Sequence, residues 1–294
     1  MKKEQVFFLI FAIKILFVCP IFAQTDSISS QKFKRLAIWS GVGYTASMIG
    51  LSELWYANSP RQSFRWFNDN LEWQQMDKLG HSFSTYQLTN FAFDALKNTG
   101  ISEKKAVFYA SSASFLMLSP IEIFDGYSAN YGASWGDLLA NFSGSALFAS
   151  QYFLWKEQRI YPKFSFHTSN FASQRPNTLG KSFLEQVLKD YNGQTYWYSI
   201  DLYAFTKKKA FKYLNLAFGY SGSNMLYAQD SQNLAVDLVP YRRFFVGLDI
   251  HLGHIPTKNK FLKKIFSLVN MIHLPAPTLE YNHLQGWIWH NLYF

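Results

Sequence analysis

The chain has 294 residues, 49% of them hydrophobic, a formal net charge of +9 and one cysteine, Cys19. That length can build a sizeable core, and one cysteine excludes an intrachain disulfide framework and a thiolate metal cluster. Aromatic residues reach 19%, which suits a membrane–water boundary, and the positive balance suits anionic lipid rather than nucleic acid, for which no motif is present.

Lys2 and Lys3, an apolar run over Val6–Phe22 broken by Lys14, and Ala23 ahead of Gln24 predict a signal peptide over residues 1–23. An uncleaved anchor is the alternative. Residues 24–34 are polar and read as a linker. Leu36 to Ser52 carries no charge, and Gly41, Gly43, Ala46 and Gly50 are small enough for close helix approach. Asn58 to Trp73 is an aromatic-rich connector, suited to a membrane surface or to capping a bundle.

Met76 to Leu96 predicts a second helix, stopped at Gly100. Ser102 and Glu103 open a third, with Pro120 expected to kink or break it before Glu122. Gly126 to Gly132 reads as a loop, and Ser134-Trp135-Gly136-Asp137 as a capping box opening a fourth helix that runs to Trp155. Residues 35–160 are therefore expected to form a helical bundle whose uncharged runs lie near the length needed to span a bilayer.

Residues 161–294 change character. Tyr196, Tyr198, Ile200, Leu202 and Ala204 share one strand face, Leu214, Leu216, Phe218 and Tyr220 a second, and Phe244, Val246, Leu248, Ile250 and Leu252 a third. Lys258 to Ile272 has helical period, with apolar Phe261, Leu262, Ile265, Leu268, Val269 and Ile272 beside Lys258, Lys260, Lys263 and Lys264. Such a basic amphipathic helix suits an anionic membrane or a place on the sheet. Thr278–Tyr281 and Gly286–Phe294 predict the last strands. A terminal aromatic resembles that of outer-membrane barrels, but six or seven strands fall short of their usual minimum of about 8. The expected fold class is α+β: about four apolar helices, then an antiparallel β-rich part with an amphipathic helix.

Chemistry concentrates in three short motifs. Asp77 and His81 are four apart, Glu122 and Asp125 three apart, and Asp137 and Asn141 four apart, so each pair shares a helix face. One shared site over residues 77–144 is the favoured reading, because carboxylates in apolar surroundings are costly without a partner, a cavity or an ion. The set admits a divalent metal held by Asp77, His81, Glu122, Asp125 and Asp137, an acid–base pair at His81, or a hydrogen-bond network that fixes packing. The blander roles are helix caps for Asp77 and Asp137, a wet loop for Glu122 and Asp125, and a core histidine bonded to Asp77. His251, His254, His283 and His290 read as strand-end and tail histidines serving packing or solvent.

The motif series Asp77-Lys78-x-x-His81, Pro120-x-Glu122-x-x-Asp125 and Ser134-Trp135-x-Asp137-x-x-x-Asn141-x-x-Gly144 resembles the YfiM-like family of predicted periplasmic lipoproteins. It is similar, more distantly, to VanZ-like membrane proteins. The likeness covers about residues 70–150, and residues 186–294 look like the extension of longer, Bacteroidetes-type members. The resemblance implies an exported cell-envelope protein and assigns no activity. The expectation is a membrane-associated protein whose partners are membrane lipid or envelope components and whose polar site takes a metal or an amphipathic envelope ligand. The alternatives are a metal-assisted hydrolase or transferase on a lipid-linked cell-wall substrate, and a structural outer-membrane scaffold.

Overall fold

The computed structural model describes residues 29–56 and 59–294. The expected signal peptide, with Cys19, and the start of the expected linker lie outside the described residues. The chain forms two compact units, one of residues up to 68 with 88–150, the other of residues 69–87 with 151–294. The fold class is α+β, with helices first and a six-stranded antiparallel sheet after them.

In the first unit, α1 (Ser30–Tyr56) buries none of its residues. A Cβ built at Gly41, Gly43 or Gly50 would meet nothing within 4 Å, so the close helix approach expected there is not made by the described residues. The connector does find a partner. Its residues 61–67 run along the loop after the third helix, with bridges from Arg61 to Ser128 and Trp66 to Ala133. Arg65 Nη2 donates to the carbonyls of Tyr131 at 2.6 Å and Ala129 at 3.2 Å, and Trp66 stacks on Trp135 at 4.2 Å.

The second helix, α2 (Met76–Lys97), gives its residues from 88 onward to this unit. The turn that stops it closes at Gly100, whose N–H bonds the Lys97 carbonyl and whose φ of 92° is one that side-chain-bearing residues avoid. The third, α3 (Glu103–Gly126), is one helix through Pro120. Proline removes a single backbone bond there, and the neighbouring Ser119 Oγ donates to the Phe115 carbonyl at 2.7 Å. Among the described residues α3 is the one helix long and apolar enough to cross a membrane, by length and composition. The fourth, α4 (Trp135–Trp155), packs Phe148 on Phe93 and Phe142 on Phe115.

The second unit is a meander. Strands β1 (Ile160–Phe166), β2 (Gln194–Asp201), β3 (Leu214–Ser223), β4 (Tyr241–Ile250), β5 (Ala276–Asn282) and β6 (Gly286–Tyr293) pair antiparallel in sequence order. The far edge of β1 takes up the segment before β5. Phe164 N donates to the Met271 carbonyl and His273 N to the Phe164 carbonyl, both at 2.9 Å. The sheet curls enough for Tyr293 of β6 to reach Thr195 of β2 and Phe245 of β4.

The alternation read from the sequence is present but stops short of Leu202, Ala204 and Leu252, since Asp201 caps a short helix over Leu202–Thr206 and Leu252–His254 is a 3-10 turn, and its sense is unusual. The buried face carries Thr195, Ser199, Asp201, Asn215, Ser221, Asp249, Thr278, Glu280 and Asn282, with Trp197, Ala217, Phe245 and Tyr293 as a small apolar cluster. The exposed face carries Tyr198, Phe218, Phe244, Val246, Leu248, Ile250, Tyr281, Trp287 and Trp289. Gly219 lets the Trp197 ring lie flat, since a Cβ there would meet that ring at 2.6 Å. After β4, α5 (Lys260–Val269) is capped by Asn259, whose Oδ1 accepts from Phe261 N at 2.9 Å, and buries none of its residues.

Candidate functional site

The polar residues expected from the sequence fall in both units, and each group stands on its own geometry. In the second unit, Asp77 and His81 occupy the first turns of α2. His81 Nε2 lies 3.8 Å from Asp77 Oδ1, an ion-pair distance beyond hydrogen-bond length. Tyr191 supplies the short contact, its hydroxyl donating to Asp77 Oδ1 at 2.8 Å. Lys78 lies 2.7 Å from Asp69 and 3.4 Å from Asp77. The pair is thus a carboxylate aimed by a phenol, flanked by an ammonium, with an imidazole one turn away. Such a group can relay a proton or supply oxygen and nitrogen donors.

The approach to α2 is strained. Trp73, Gln74 and Gln75 have φ of 49°, 51° and 64°, a left-handed run that costs about 1–2 kcal/mol per residue. Surrounding bonds hold it. Tyr220 Oη donates to the Gln74 carbonyl at 2.6 Å, Gln74 Nε2 to Asp230 at 2.7 Å, and Arg242 to Gln75 Oε1 at 2.8 Å. Strain kept by so many bonds fixes where Asp77 and His81 begin.

In the first unit, Glu122, Asp137 and Asn141 are buried. Glu122 Oε2 accepts from Ser134 N at 3.0 Å, and Ser134 Oγ accepts from Asp137 N at 3.2 Å. Ser134 therefore caps α4 as its sequence predicts, and a carboxylate from α3 accepts the cap's own N–H. Asp125, on the same face of α3, accepts from the Tyr56 hydroxyl at 2.7 Å. Burial first, then the Asp125 carboxylate, pushes the Tyr56 phenol far above its usual range. Asp125 thus ties the end of α1 to the end of α3.

Charged residues of the sheet interior add a second set that the motif reading did not single out. Lys163 Nζ meets Asp249 Oδ2 at 2.6 Å with both side chains fully buried. Asp249 also accepts from Ser199 Oγ at 2.5 Å, and Ser199 Oγ accepts from Asn215 Nδ2 at 2.8 Å. Burial lowers the Lys163 pKa, and Asp249 works against that. Arg243 grips Glu280 with two bonds, at 2.8 and 2.6 Å, and His290 Nε2 lies 2.8 Å from Glu280 Oε2. Burial opposes the Glu280 charge, but the bonds from Arg243, then Asn282 and His290, bring its pKa down to about 2. Alternate polar positions along β3, β4 and β5 were the sequence signal for this network. Tyr191, which lies 114 residues from Asp77, left no local signal at all.

Searches of the curated proteins and of the solved structures give no match. Likeness to VanZ-like proteins is not shown. The resemblance carried by the Asp77, Glu122 and Asp137 motifs is to the predicted periplasmic lipoprotein family (DUF2279), whose model matches residues 65–154.

Proposed function

We propose that the chain is an exported, membrane-associated cell-envelope protein whose sheet lies with its outer face against lipid. The family description supports the envelope setting. One observation carries the membrane part. Phe244, Tyr281 and Trp287 pair strand to strand as an exposed aromatic row over β4 to β6, and the row continues through Tyr220, Tyr196 and Phe164, where Phe83 of α2 packs on the last two. The next row is Pro162, Tyr198, Phe218, Val246, Leu279 and Trp289, and beyond it Ile200, Leu216 and Leu248 pair in turn. An aromatic belt that grades through a mixed row into an aliphatic one is the order met on passing from headgroups into hydrocarbon.

A water-facing sheet would bury such rows and expose its charges, each large apolar side chain gaining about 1.5–3 kcal/mol from burial. Here Trp287 is 67% exposed and Leu292 70% exposed, while Lys163 and Asp249 are inside. Among the described residues β6 pairs with β5 alone, and a strand edge without partners favours lying on the bilayer, because unpaired backbone groups are not tolerated in hydrocarbon. Exposed Phe261 and Leu268 on α5, beside Lys260, Lys263 and Lys264, add a basic amphipathic helix of the kind that seats in anionic headgroups. Each polar group of the family region, Asp77 with His81 and Glu122 with Asp125, Asp137 and Asn141, is proposed to take a divalent metal or the polar head of an amphipathic envelope molecule.

Flotation of the full chain with vesicles of anionic and of zwitterionic phospholipid tests the membrane part. The protein should float, more strongly with anionic lipid, and its tryptophan emission should shift to the blue. A Trp287→Ser/Trp289→Ser variant should float less. Folded protein that stays below both kinds of vesicle with unchanged emission would overturn the reading.

A further inference from the structure

We propose that Asp201, His251 and His254 form a binding site for one divalent transition-metal ion, zinc by their donor set. The register pairs Asp201 with Asn215 and Asn215 with Asp249, so the ends of β2 and β4 lie on the same margin of the sheet. Asp201 ends β2, His251 follows β4, and His254 closes the short turn after it. One ligand atom from each lies within 4.8 Å of the others. Closing to the edge of a zinc tetrahedron, about 3.4 Å for bonds near 2.0–2.1 Å, needs only side-chain adjustment.

Each donor is already oriented. Asp201 Oδ1 accepts from Ala204 N at 2.8 Å, and Oδ2 lies 3.3 Å from His254 Nε2. His254 Nδ1 lies 2.5 Å from the Lys212 carbonyl, which can only accept. Nδ1 is therefore the donor to that carbonyl and Nε2 the ring atom left to bind an ion, an outer-partner arrangement common behind metal-bound imidazoles. His251 is 5% exposed, and neither of its ring nitrogens has a hydrogen-bond partner. Buried polar atoms are rarely left so, and an ion would satisfy one of them. Gly253 makes room for that ring, since a Cβ there would meet its Cε1 at 2.8 Å. Tyr161 and Tyr203 stand edge-on to His251 and His254 and wall the place. Two imidazoles and a carboxylate leave a fourth zinc position open to solvent or ligand.

The proposal is independent of the membrane reading. Full-length protein stripped with a chelator and titrated with Co²⁺ should develop the visible absorption of a four- or five-coordinate ion, and Zn²⁺ should abolish it. Zn²⁺ should also raise Tm. Asp201→Asn, which keeps the capping oxygen, and His254→Gln should each bind at least tenfold more weakly and lose the Tm rise, while His283→Gln, at a histidine in the turn between β5 and β6, keeps both. A folded wild type with no band and no rise, variants binding as tightly as wild type, or a band lost only in His283→Gln would overturn it.

Discussion

The two units bury carboxylates in different company. In the sheet, acids face cations: Asp249 meets Lys163 and Glu280 is gripped by Arg243. In the helical unit, Glu122 accepts from a backbone N–H and Asp125 from a tyrosine hydroxyl. A paired charge is neutralised where it stands and serves to hold the curl of the sheet. Glu122 and Asp125 instead join helix ends, the first bonding α3 to the cap of α4 and the second to the end of α1.

The largest effect that would break this contrast lies at the buried pair. Lys163→Ala or Asp249→Ala should cost about 3–5 kcal/mol in urea denaturation, because each leaves a lone charge in the sheet. Lys163→Met with Asp249→Leu should recover most of that. A small loss in either single variant would mean that the pair does not hold the sheet. In the helical unit, Glu122→Ala should cost about 1–3 kcal/mol by leaving the Ser134 N–H without this acceptor. Glu122→Gln, which still offers an oxygen, should cost less. Equal losses would mean that the charge, and not the cap, is what counts there.

Acid pH sharpens the same comparison. Burial, helped by Lys163 and opposed by Asp249, lowers the His273 pKa from 6.5 to about 4, and the ring stacks on Trp197 at 3.8 Å. The unfolded chain therefore takes up this proton first. The stability tied to His273 is full above pH 6.5 and declines as pH falls towards 4. Glu280, lowered from 4.5 to about 2, contributes stability that is full above 4.5 and is lost as pH falls through 2. His273→Phe should flatten the upper part of a pH-dependent denaturation curve and Glu280→Gln the lower part. The smallest effect on folding belongs to the outer face. Trp287→Ser/Trp289→Ser should change stability by about 0.5 kcal/mol or less while weakening vesicle flotation.

Local pattern was readable along the chain because helix and strand periods are local. The Gly100 stop, the Ser134 cap and the alternating strands stand where spacing puts them. The direction of the alternation was not readable from Leu214 or Phe244 alone, since period two marks two faces without saying which is dry. The other face held the clue, with Asn215, Asp249 and Glu280 at alternate positions and Lys163 and Arg243 to match them. Pro120 passes inside a helix because one missing bond is a local loss that neighbouring packing outweighs. Tyr191 turns to Asp77 through folding that brings together segments 114 residues apart, which no window of sequence contains. His251 and His254 looked scattered for the same reason, as Asp201 joins them only across the sheet.

The bridge between Phe164 and Ile272 also bears on the order of folding. Every strand pairs with its neighbour in sequence, so the meander can grow by successive local hairpins. The contact at Phe164 and Ile272 instead closes a loop of about a hundred residues, whose entropy is repaid only once the intervening strands stand in register. It is therefore the last contact of the sheet to form. Amide exchange at Phe164 and His273, the two donors of that closure, should be the first of the sheet's to quicken when the fold is weakened.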